Sequence, residues 1–203
     1  MRNKILAIVA AVMMVFGGGT YTGYRLHDLT ANDYSTSKDQ FYSKTVFTPF
    51  EDGLAEYLKF LDGTQHKLRI ATYVLTEDSI TDKLIELKKN RGVDVKVLLD
   101  RSQSVARSGK YVQEQVARLR AAGIEVVIGT SEKKGQIMHL KYTVRDDAWV
   151  EDGSWNYSAS ASWQNNNLDF TNDPARAQWF TDNWDRMYRF VITQDQTPWD
   201  KTD

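Results

Sequence analysis

Residues 139–156 read HLKYTVRDDAWVEDGSWN, and this stretch indicates both a fold and a chemistry. It places a histidine, a lysine and an aspartate ahead of a short polar motif, in the order His139, Lys141, Asp146, Gly153, Ser154 and Asn156. Histidine can act as a nucleophile or a general acid near neutral pH. Lysine offers a fixed positive charge to a phosphate oxygen, and serine and asparagine add hydrogen bonds. These residue types together favour chemistry on an anionic phosphodiester.

Two strands and two turns are predicted around the histidine. Residues 136–144 are apolar and β-branched, which is typical of a strand, so His139 and Lys141 should project from the same face. Residues 145–147 should form a turn into a second short strand at residues 148–150, and residues 151–154 should form the next turn. Ser154 or Asn156 should then cap a following helix, whose free backbone N–H groups are available to an anion.

The chain upstream of this stretch alternates between strands and helices. Strands are predicted at residues 68–75, 93–100 and 124–128, and helices at residues 51–61, 78–90 and 109–122, with a last helix at 174–187. The unbroken apolar character of residues 93–100 suits a buried parallel strand. This alternation predicts an α/β sandwich.

The H-x-K-x4-D spacing of His139, Lys141 and Asp146, followed by G-S-x-N, resembles the signature of the phospholipase D superfamily. The likeness extends upstream and covers roughly residues 47–188. Within the superfamily, the chain resembles most the short members with a single motif, which include nonspecific bacterial endonucleases and mitochondrial cardiolipin hydrolase. The resemblance implies an α/β fold, a phospholipase D-type α/β/α sandwich with a central mixed β-sheet.

The resemblance also implies roles for the motif residues. His139 attacks phosphorus and forms a phosphohistidine, while Lys141 and Asn156 stabilise the charge on phosphorus. Asp146 belongs to the catalytic set, and Ser154 joins Asn156 in binding substrate. The active site of the superfamily uses two such motifs and this chain has one, so a homodimer with the site on its two-fold axis is implied. Neither a metal nor a cofactor is implied.

One departure from the family pattern concerns the residue that orients the histidine. Members of the superfamily often carry a glutamate shortly after G-S-x-N, within N-x-E-N. Aligning Asn165 with that motif puts Asn167 at the position of the glutamate. Asp169, two residues further and on the same strand face, is the alternative.

Composition narrows the classes of function. The chain of 203 residues has no cysteine, which excludes disulfides, a thiol nucleophile and cysteine-ligated zinc. Its three histidines are widely spaced, so a dedicated metal site is not expected. The net charge of −1 is unlike the basic balance of many nucleic-acid-binding proteins, although residues 101–110 and 133–134 are locally basic. Four aromatic residues near the motif either contact substrate or pack in the core: Trp149, Trp155, Tyr157 and Trp163.

The N-terminal residues predict export. Residues 1–24 combine a basic start with an uncharged run at 5–24, which fits either a cleaved signal peptide or a membrane anchor. The basic start should stay inside, so the domain should reach the periplasm or the outside, free or anchored. Residues 25–46 are predicted as a polar linker, 47–193 as the catalytic domain and 194–203 as a C-terminal tail.

The sequence is compatible with three functions. The first expectation is an exported, metal-independent endonuclease acting on DNA or RNA. The alternative is a phospholipase D that hydrolyses phospholipid headgroups at the membrane, which the predicted anchor and the tryptophans favour. The third is a membrane-tethered binding module with a degenerate site, which Asn167 motivates, although intact His139, Lys141 and Asn156 favour an enzyme.

Overall fold

A seven-stranded sheet organises residues 41–105 and 109–194, which are the residues that the computed structural model describes. The order across the sheet is β1-β7-β6-β5-β2-β3-β4. β2, β3 and β4 are parallel to one another, and the other neighbouring pairs are antiparallel. The predicted central mixed sheet is therefore confirmed. The strands are β1 (Ser43–Thr48), β2 (Lys67–Thr72), β3 (Asp94–Asp100), β4 (Glu125–Gly129), β5 (Lys141–Arg145), β6 (Trp149–Gly153) and β7 (Asn166–Thr171).

Helices cover both faces of the sheet, which confirms the α/β/α sandwich. Tyr142 of β5 packs in a core cluster with α5, whereas the next residue, Thr143, lies 2.6 Å from the Tyr57 hydroxyl of α1. Because neighbouring residues of a strand point to opposite faces, α1 and α5 lie on opposite sides. α2 and α4 pack on the side of α1. The helices are α1 (Gly53–Asp62), α2 (Asp78–Arg91), α3 (Arg101–Val105), α4 (Lys110–Ala121) and α5 (Pro174–Val191), with a 3-10 helix at Ala159–Trp163.

The strand predicted over residues 136–144 begins only at Lys141. Met138 donates its backbone N–H to a carboxylate oxygen of Asp100 at 2.6 Å and so does not join the sheet. The carbonyl oxygen of Leu140 accepts the Tyr73 N–H at 2.9 Å. His139 therefore lies in a segment that is fixed by β3 and by the loop after β2, just before the strand.

The turn predicted at residues 151–154 is wrong, because residues 151–153 continue β6. Glu151 is fully buried and accepts a hydrogen bond from the Tyr157 hydroxyl at 2.6 Å. Glutamate is a common residue in turns, so the residue type alone did not show that Glu151 is buried in a strand. Ser154 and Asn156 also cap no helix, since the next helix is the 3-10 helix, preceded by Ser158 without a side-chain cap.

Glu151 should make stability depend on pH. Burial raises the pKa of its carboxyl well above the ordinary value of 4.5, so the folded protein binds more protons than the unfolded chain above that pH. The free energy of unfolding should therefore fall as the pH rises above about 4.5, by at most about 1.4 kcal/mol per pH unit. Glu151→Gln removes this slope and keeps an acceptor for Tyr157. Urea unfolding at pH 5 and pH 8 checks it, and an equal difference between variant and wild type at both pH values would contradict it.

β1 has no counterpart among the predicted strands. It begins at Ser43, inside the range of the predicted linker, so the folded domain starts before residue 47. Residues 1–40 and 195–203 lie outside the described residues, and with them the predicted signal or anchor, most of the linker and most of the tail. In the described ranges, no helix is both long enough and apolar enough to cross a membrane.

Candidate active site

Strand register brings most of the motif residues to one edge of the sheet. Lys141 lies opposite Thr72, the last residue of β2. Gly153, at the end of β6, lies level with Lys141 and opposite Leu168 near the start of β7. The C-terminal ends of parallel strands β2 and β3 therefore meet the motif here. Open α/β sheets bind their ligands beyond such strand ends.

His139 and Lys141 are in direct contact at this edge. The Lys141 ammonium lies 3.1 Å from Nδ1 and 3.0 Å from Nε2 of the imidazole, and donates to the His139 carbonyl oxygen at 2.7 Å. His139 is exposed and Lys141 is buried. The predicted contact between His139 and Lys141 is therefore present, although His139 precedes the strand.

The environment lowers the pKa of both side chains. The pKa of His139 lies below its ordinary value. Desolvation is the main cause and the positive charge of Lys141 is the second, while the negative charge of Asp100 raises the pKa. Desolvation likewise lowers the pKa of Lys141. A lower pKa of His139 keeps more of the imidazole neutral near pH 7, as a nucleophile requires.

The His139 segment is positioned by Tyr73 and Asp100, two residues that the sequence did not point to directly. The Tyr73 ring packs edge-on against the imidazole with the ring centroids 4.6 Å apart, and its centroid lies 5.2 Å from the Lys141 ammonium. Asp100 is fully buried and accepts the Met138 N–H. Tyr73 directly follows β2 and Asp100 ends β3. The rule that ligands bind beyond the ends of parallel strands is the signal that selects both.

The glycine-serine pair of the motif rests against β7. A Cβ atom on Gly153 would collide with the Asn167 carbonyl oxygen, so this close approach requires glycine. Ser154 Oγ donates to the Asn166 side-chain oxygen at 3.0 Å and accepts the Asn167 backbone N–H at 3.1 Å. In this structure Ser154 therefore fixes the loop that carries Asn156.

Asn156 presents an unpaired polar group near the same edge. Its Oδ1 is buried and has no hydrogen-bond partner in the described part of the chain, although buried amide groups are normally hydrogen-bonded. Rotation of the amide exchanges its oxygen and nitrogen, so the group can also donate to a phosphate oxygen. That Asn156 binds substrate stays a prediction, which its buried and unpaired side-chain oxygen supports.

Neither residue predicted to orient His139 hydrogen-bonds to it in the described part of the chain. Asn167 Nδ2 donates to Asp169 Oδ2 at 2.5 Å, and the other Asp169 oxygen accepts from Thr45. Both belong to β7, which β6 separates from β5. Both ring nitrogens of His139 lie within 3.1 Å of the Lys141 ammonium, which can donate to whichever of them carries no proton. Asp100 is the carboxylate whose charge acts on the imidazole.

Asp146 lies at the far end of β5 from Lys141, five residues along the strand or about 17 Å away. Its carboxylate accepts three backbone N–H groups, those of Gln65 at 2.9 Å and His66 at 2.8 Å in the loop before β2 and that of Lys67 at 2.8 Å at the start of the strand. Asp146 therefore orders a loop at the opposite edge of the sheet. This placement contradicts the predicted catalytic role, because the length of β5 separates Asp146 from His139 and Lys141.

We expect Asp146→Ala to lower the free energy of unfolding by about 1–3 kcal/mol, because three N–H groups lose their acceptor. Asp147→Ala is the matched control. Asp147 has a similar positive φ, 52° against 54°, but makes a surface ion pair with Lys67, worth about 0–1 kcal/mol. Urea unfolding and kcat would be measured for both. A loss of kcat of about a hundredfold in a stable Asp146→Ala protein would reinstate a catalytic role.

The four aromatic residues near the motif divide between the core and the surface. Trp155 and Tyr157 are fully buried and pack against Tyr57. Trp149 is half-buried, with its ring centroid 4.7 Å from the Arg145 guanidinium. Of the four, Trp163 is the one that solvent reaches freely.

Residues 41–105 and 109–194 contain no group of three histidine, aspartate or glutamate side chains placed to hold a metal ion. The expectation of a metal-independent site stays a prediction, and turnover in a chelator tests it.

Several known proteins are similar to this chain. Residues 57–188 match the family described as the PLD-like domain of cardiolipin synthase. The mitochondrial cardiolipin hydrolase of Chlamydomonas reinhardtii is 28% identical over 136 residues, which are 66% of this chain and 57% of that protein. A phospholipase D of Rickettsia prowazekii is 27% identical over 198 residues, or 90% of this chain and 92% of that protein. The phospholipase D family member Nuc of Salmonella typhimurium shares the fold, with a TM-score of 0.66, 24% identity, and coverage of 74% of this chain and 95% of that chain. The chain thus spans little more than half the length of the algal relative.

Proposed function

The chain belongs to the phospholipase D superfamily, and we propose that it is a metal-independent phosphodiesterase that works through a phosphohistidine on His139. The observation that carries the proposal is the contact of an exposed imidazole with a buried ammonium, at 3.0 and 3.1 Å, on the edge where such sheets bind ligands. The buried side-chain oxygen of Asn156, which has no hydrogen-bond partner among the described residues, lies near the same edge.

The reaction runs in two displacements. A ring nitrogen of neutral His139 attacks phosphorus, and the bond from phosphorus to the leaving oxygen breaks while that oxygen takes a proton from a second imidazolium. Water then gives a proton to this second imidazole, attacks phosphorus and breaks the P–N bond. Lys141 and Asn156 hold the phosphoryl oxygens, and the ammonium offsets their negative charge.

A second copy of the chain supplies the second imidazole. Each chain has one H-x-K-x4-D motif, and His66 lies beside Asp146 at the far edge of the sheet. A homodimer with the site on its two-fold axis brings two His139 side chains together. Sedimentation of the active enzyme should therefore give a dimer, and a fully active monomer would contradict the shared site.

Phospholipid is the substrate that the surroundings of His139 favour, ahead of the nucleic acid expected first from the sequence. A mostly apolar cavity beside His139 fits the acyl or glycerol part of a lipid better than a polar nucleotide. Two relatives are named as a cardiolipin hydrolase and a phospholipase D, which agrees with this choice. The cavity, of about 250 Å³, opens beside the imidazole, and most of its lining side chains are apolar, including Leu98, Ile137, Met138, Leu140, Met187 and Phe190. Thr130, Ser131, Glu132 and Arg186 complete its polar side.

An endonuclease acting on DNA or RNA is the second candidate. Exposed Lys133 and Lys134 favour it, because they lie in the loop between β4 and β5 that leads to His139. Lysines beside a phosphodiester site are suited to contact the phosphates of a nucleic acid.

We further propose that residues 1–24 direct export and stay attached as a membrane anchor, with the domain facing the periplasm or the outside. The basic start and the uncharged run at residues 5–24 support this. N-terminal sequencing of the mature protein tests it. A soluble protein that starts near Thr20 would show cleavage instead.

The decisive experiment incubates the full chain, in EDTA, separately with phosphatidylcholine vesicles, plasmid DNA and RNA, with His139→Asn as the blank. The proposal predicts release of choline from the vesicles. Cleavage of DNA or RNA alone would establish the second candidate. Activity that EDTA abolishes and added magnesium or zinc restores would contradict the metal-independent mechanism.

A further inference from the structure

Three aromatic side chains are exposed together beside the edge of the sheet that carries the motif. Phe47, Phe50 and Trp163 are 57%, 77% and 82% exposed. Phe47 and Phe50 line one surface groove, and Phe50 and Trp163 line the next, so the three form one surface. We call this surface the aromatic edge. Contiguous apolar side chains on a protein surface mark sites of interaction.

The aromatic edge is held by hydrogen bonds between ordered segments. Thr48, the last residue of β1, donates its hydroxyl to the Gln164 carbonyl oxygen at 2.7 Å, directly after the 3-10 helix that carries Trp163. Thr48 also lies opposite Asn166 of β7. Ser154 lines the same groove as Phe47 and Phe50. The aromatic edge is therefore continuous with the loop after β6 that carries Ser154 and Asn156.

The charge around the aromatic edge discriminates between partners. Neither groove has a lysine or an arginine among its described lining residues, whereas Glu51, Asp52 and Glu77 line the second groove. A nucleic acid stacked on these rings would bring its phosphates towards carboxylates, which opposes binding. A zwitterionic membrane has no net charge and presents ammonium groups that carboxylates attract.

We propose that the aromatic edge docks the catalytic domain on a zwitterionic phospholipid surface, with Phe47, Phe50 and Trp163 in the headgroup region. Tryptophan and phenylalanine favour that region. The proposal rests on phospholipid as the substrate and adds how the site reaches it, since Ser154 shares a groove with Phe47 and Phe50, so docking here brings the membrane close to the loop that carries Asn156. The chain is long enough, because residues 25–42, between the uncharged run and β1, extend to at most roughly 59–65 Å.

The chain has no cysteine, so single fluorescent labels can report depth in the membrane. Phe50→Cys, Trp163→Cys and Trp179→Cys are each labelled in the full chain and reconstituted into phosphatidylcholine vesicles that contain nitroxide lipids. Trp179 is the matched control, a 71% exposed tryptophan in the first half of α5, which follows the far end of β7. We expect the labels at positions 50 and 163 to be quenched at least about threefold more than the label at 179. Equal quenching of all three labels, or no quenching of the labels at positions 50 and 163, would overturn the proposal. Burial of the labels at positions 50 and 163 within the dimer before vesicles are added would overturn it as well.

Activity separates this proposal from the proposed function. Combined Phe50→Ala and Trp163→Ala should reduce hydrolysis of vesicles by about tenfold or more, and leave hydrolysis of monomeric short-chain phosphatidylcholine within about twofold of wild type. An equal loss on both substrates would overturn docking. If the wild type hydrolyses neither lipid, the proposed function fails, and the label quenching still decides docking by itself.

Discussion

His139→Ala should leave the fold intact and reduce kcat by about 10⁴- to 10⁶-fold, because both the nucleophile and the general acid of the shared site are lost. The side chain is exposed, and its segment is held by backbone contacts that the substitution keeps, from Met138 to Asp100 and from Tyr73 to Leu140. Steady-state turnover of the substrate identified in EDTA, with thermal unfolding alongside, measures the effect.

His66→Ala is the matched control for that loss. His66 is also exposed, but it lies at the opposite edge of the sheet, where its backbone N–H bonds to Asp146. Its kcat should stay within about twofold of wild type. If a preparation of His139→Ala free of contaminating enzyme kept activity within about tenfold of wild type, His139 would not be the nucleophile.

Lys141→Met should reduce kcat by about 10²- to 10³-fold, because the positive charge that stabilises the phosphoryl oxygens is removed. Methionine fills the buried space of the lysine side chain, so the loss of kcat reflects the missing charge more than a change in packing. The same substitution should raise the pKa of His139, since the Lys141 charge is one cause that lowers it. NMR titration of the His139 ring protons measures this shift.

Lys141→Arg separates charge from geometry. The pKa of His139 should stay low because a positive charge remains, whereas kcat should still fall, because a planar guanidinium does not replace a compact ammonium seated on the imidazole. An unchanged pKa of His139 in Lys141→Met would show that the two groups do not interact as the structure places them.

The features that the sequence predicted correctly are those in which local pattern and tertiary context agree. The helix before β3 ends at Arg91 and is capped by Gly92, whose φ of 69° is the left-handed value that favours glycine. β3 itself is buried and parallel to both neighbours, as its unbroken apolar run indicates. β1 escaped prediction because it has a polar composition and its buried Lys44 pairs with Glu56 at 2.8 Å, a contact that only the folded chain provides.

The candidate site was predictable in its residue types and less so in their positions. The spacing of His139 and Lys141 indicated a contact that the structure contains. The spacing of the motif residues could not show that the length of β5 separates Asp146 from His139 and Lys141. A linear motif does not tell whether the strand runs towards the site or away from it. Asp100 and Tyr73 lie on β3 and after β2, far from the motif in sequence, so their position at the ends of parallel strands was the only sequence signal for them, and their contacts with the His139 segment arise in the folded chain.

Trapping of the covalent intermediate tests the central claim most directly. The full chain is mixed in EDTA with the substrate that it turns over, quenched on the millisecond timescale, digested and analysed by mass spectrometry. We predict a phosphoryl adduct on the peptide that contains His139, formed in wild type and absent from His139→Asn. Steady turnover in which no adduct forms on His139 before product is released would contradict the mechanism.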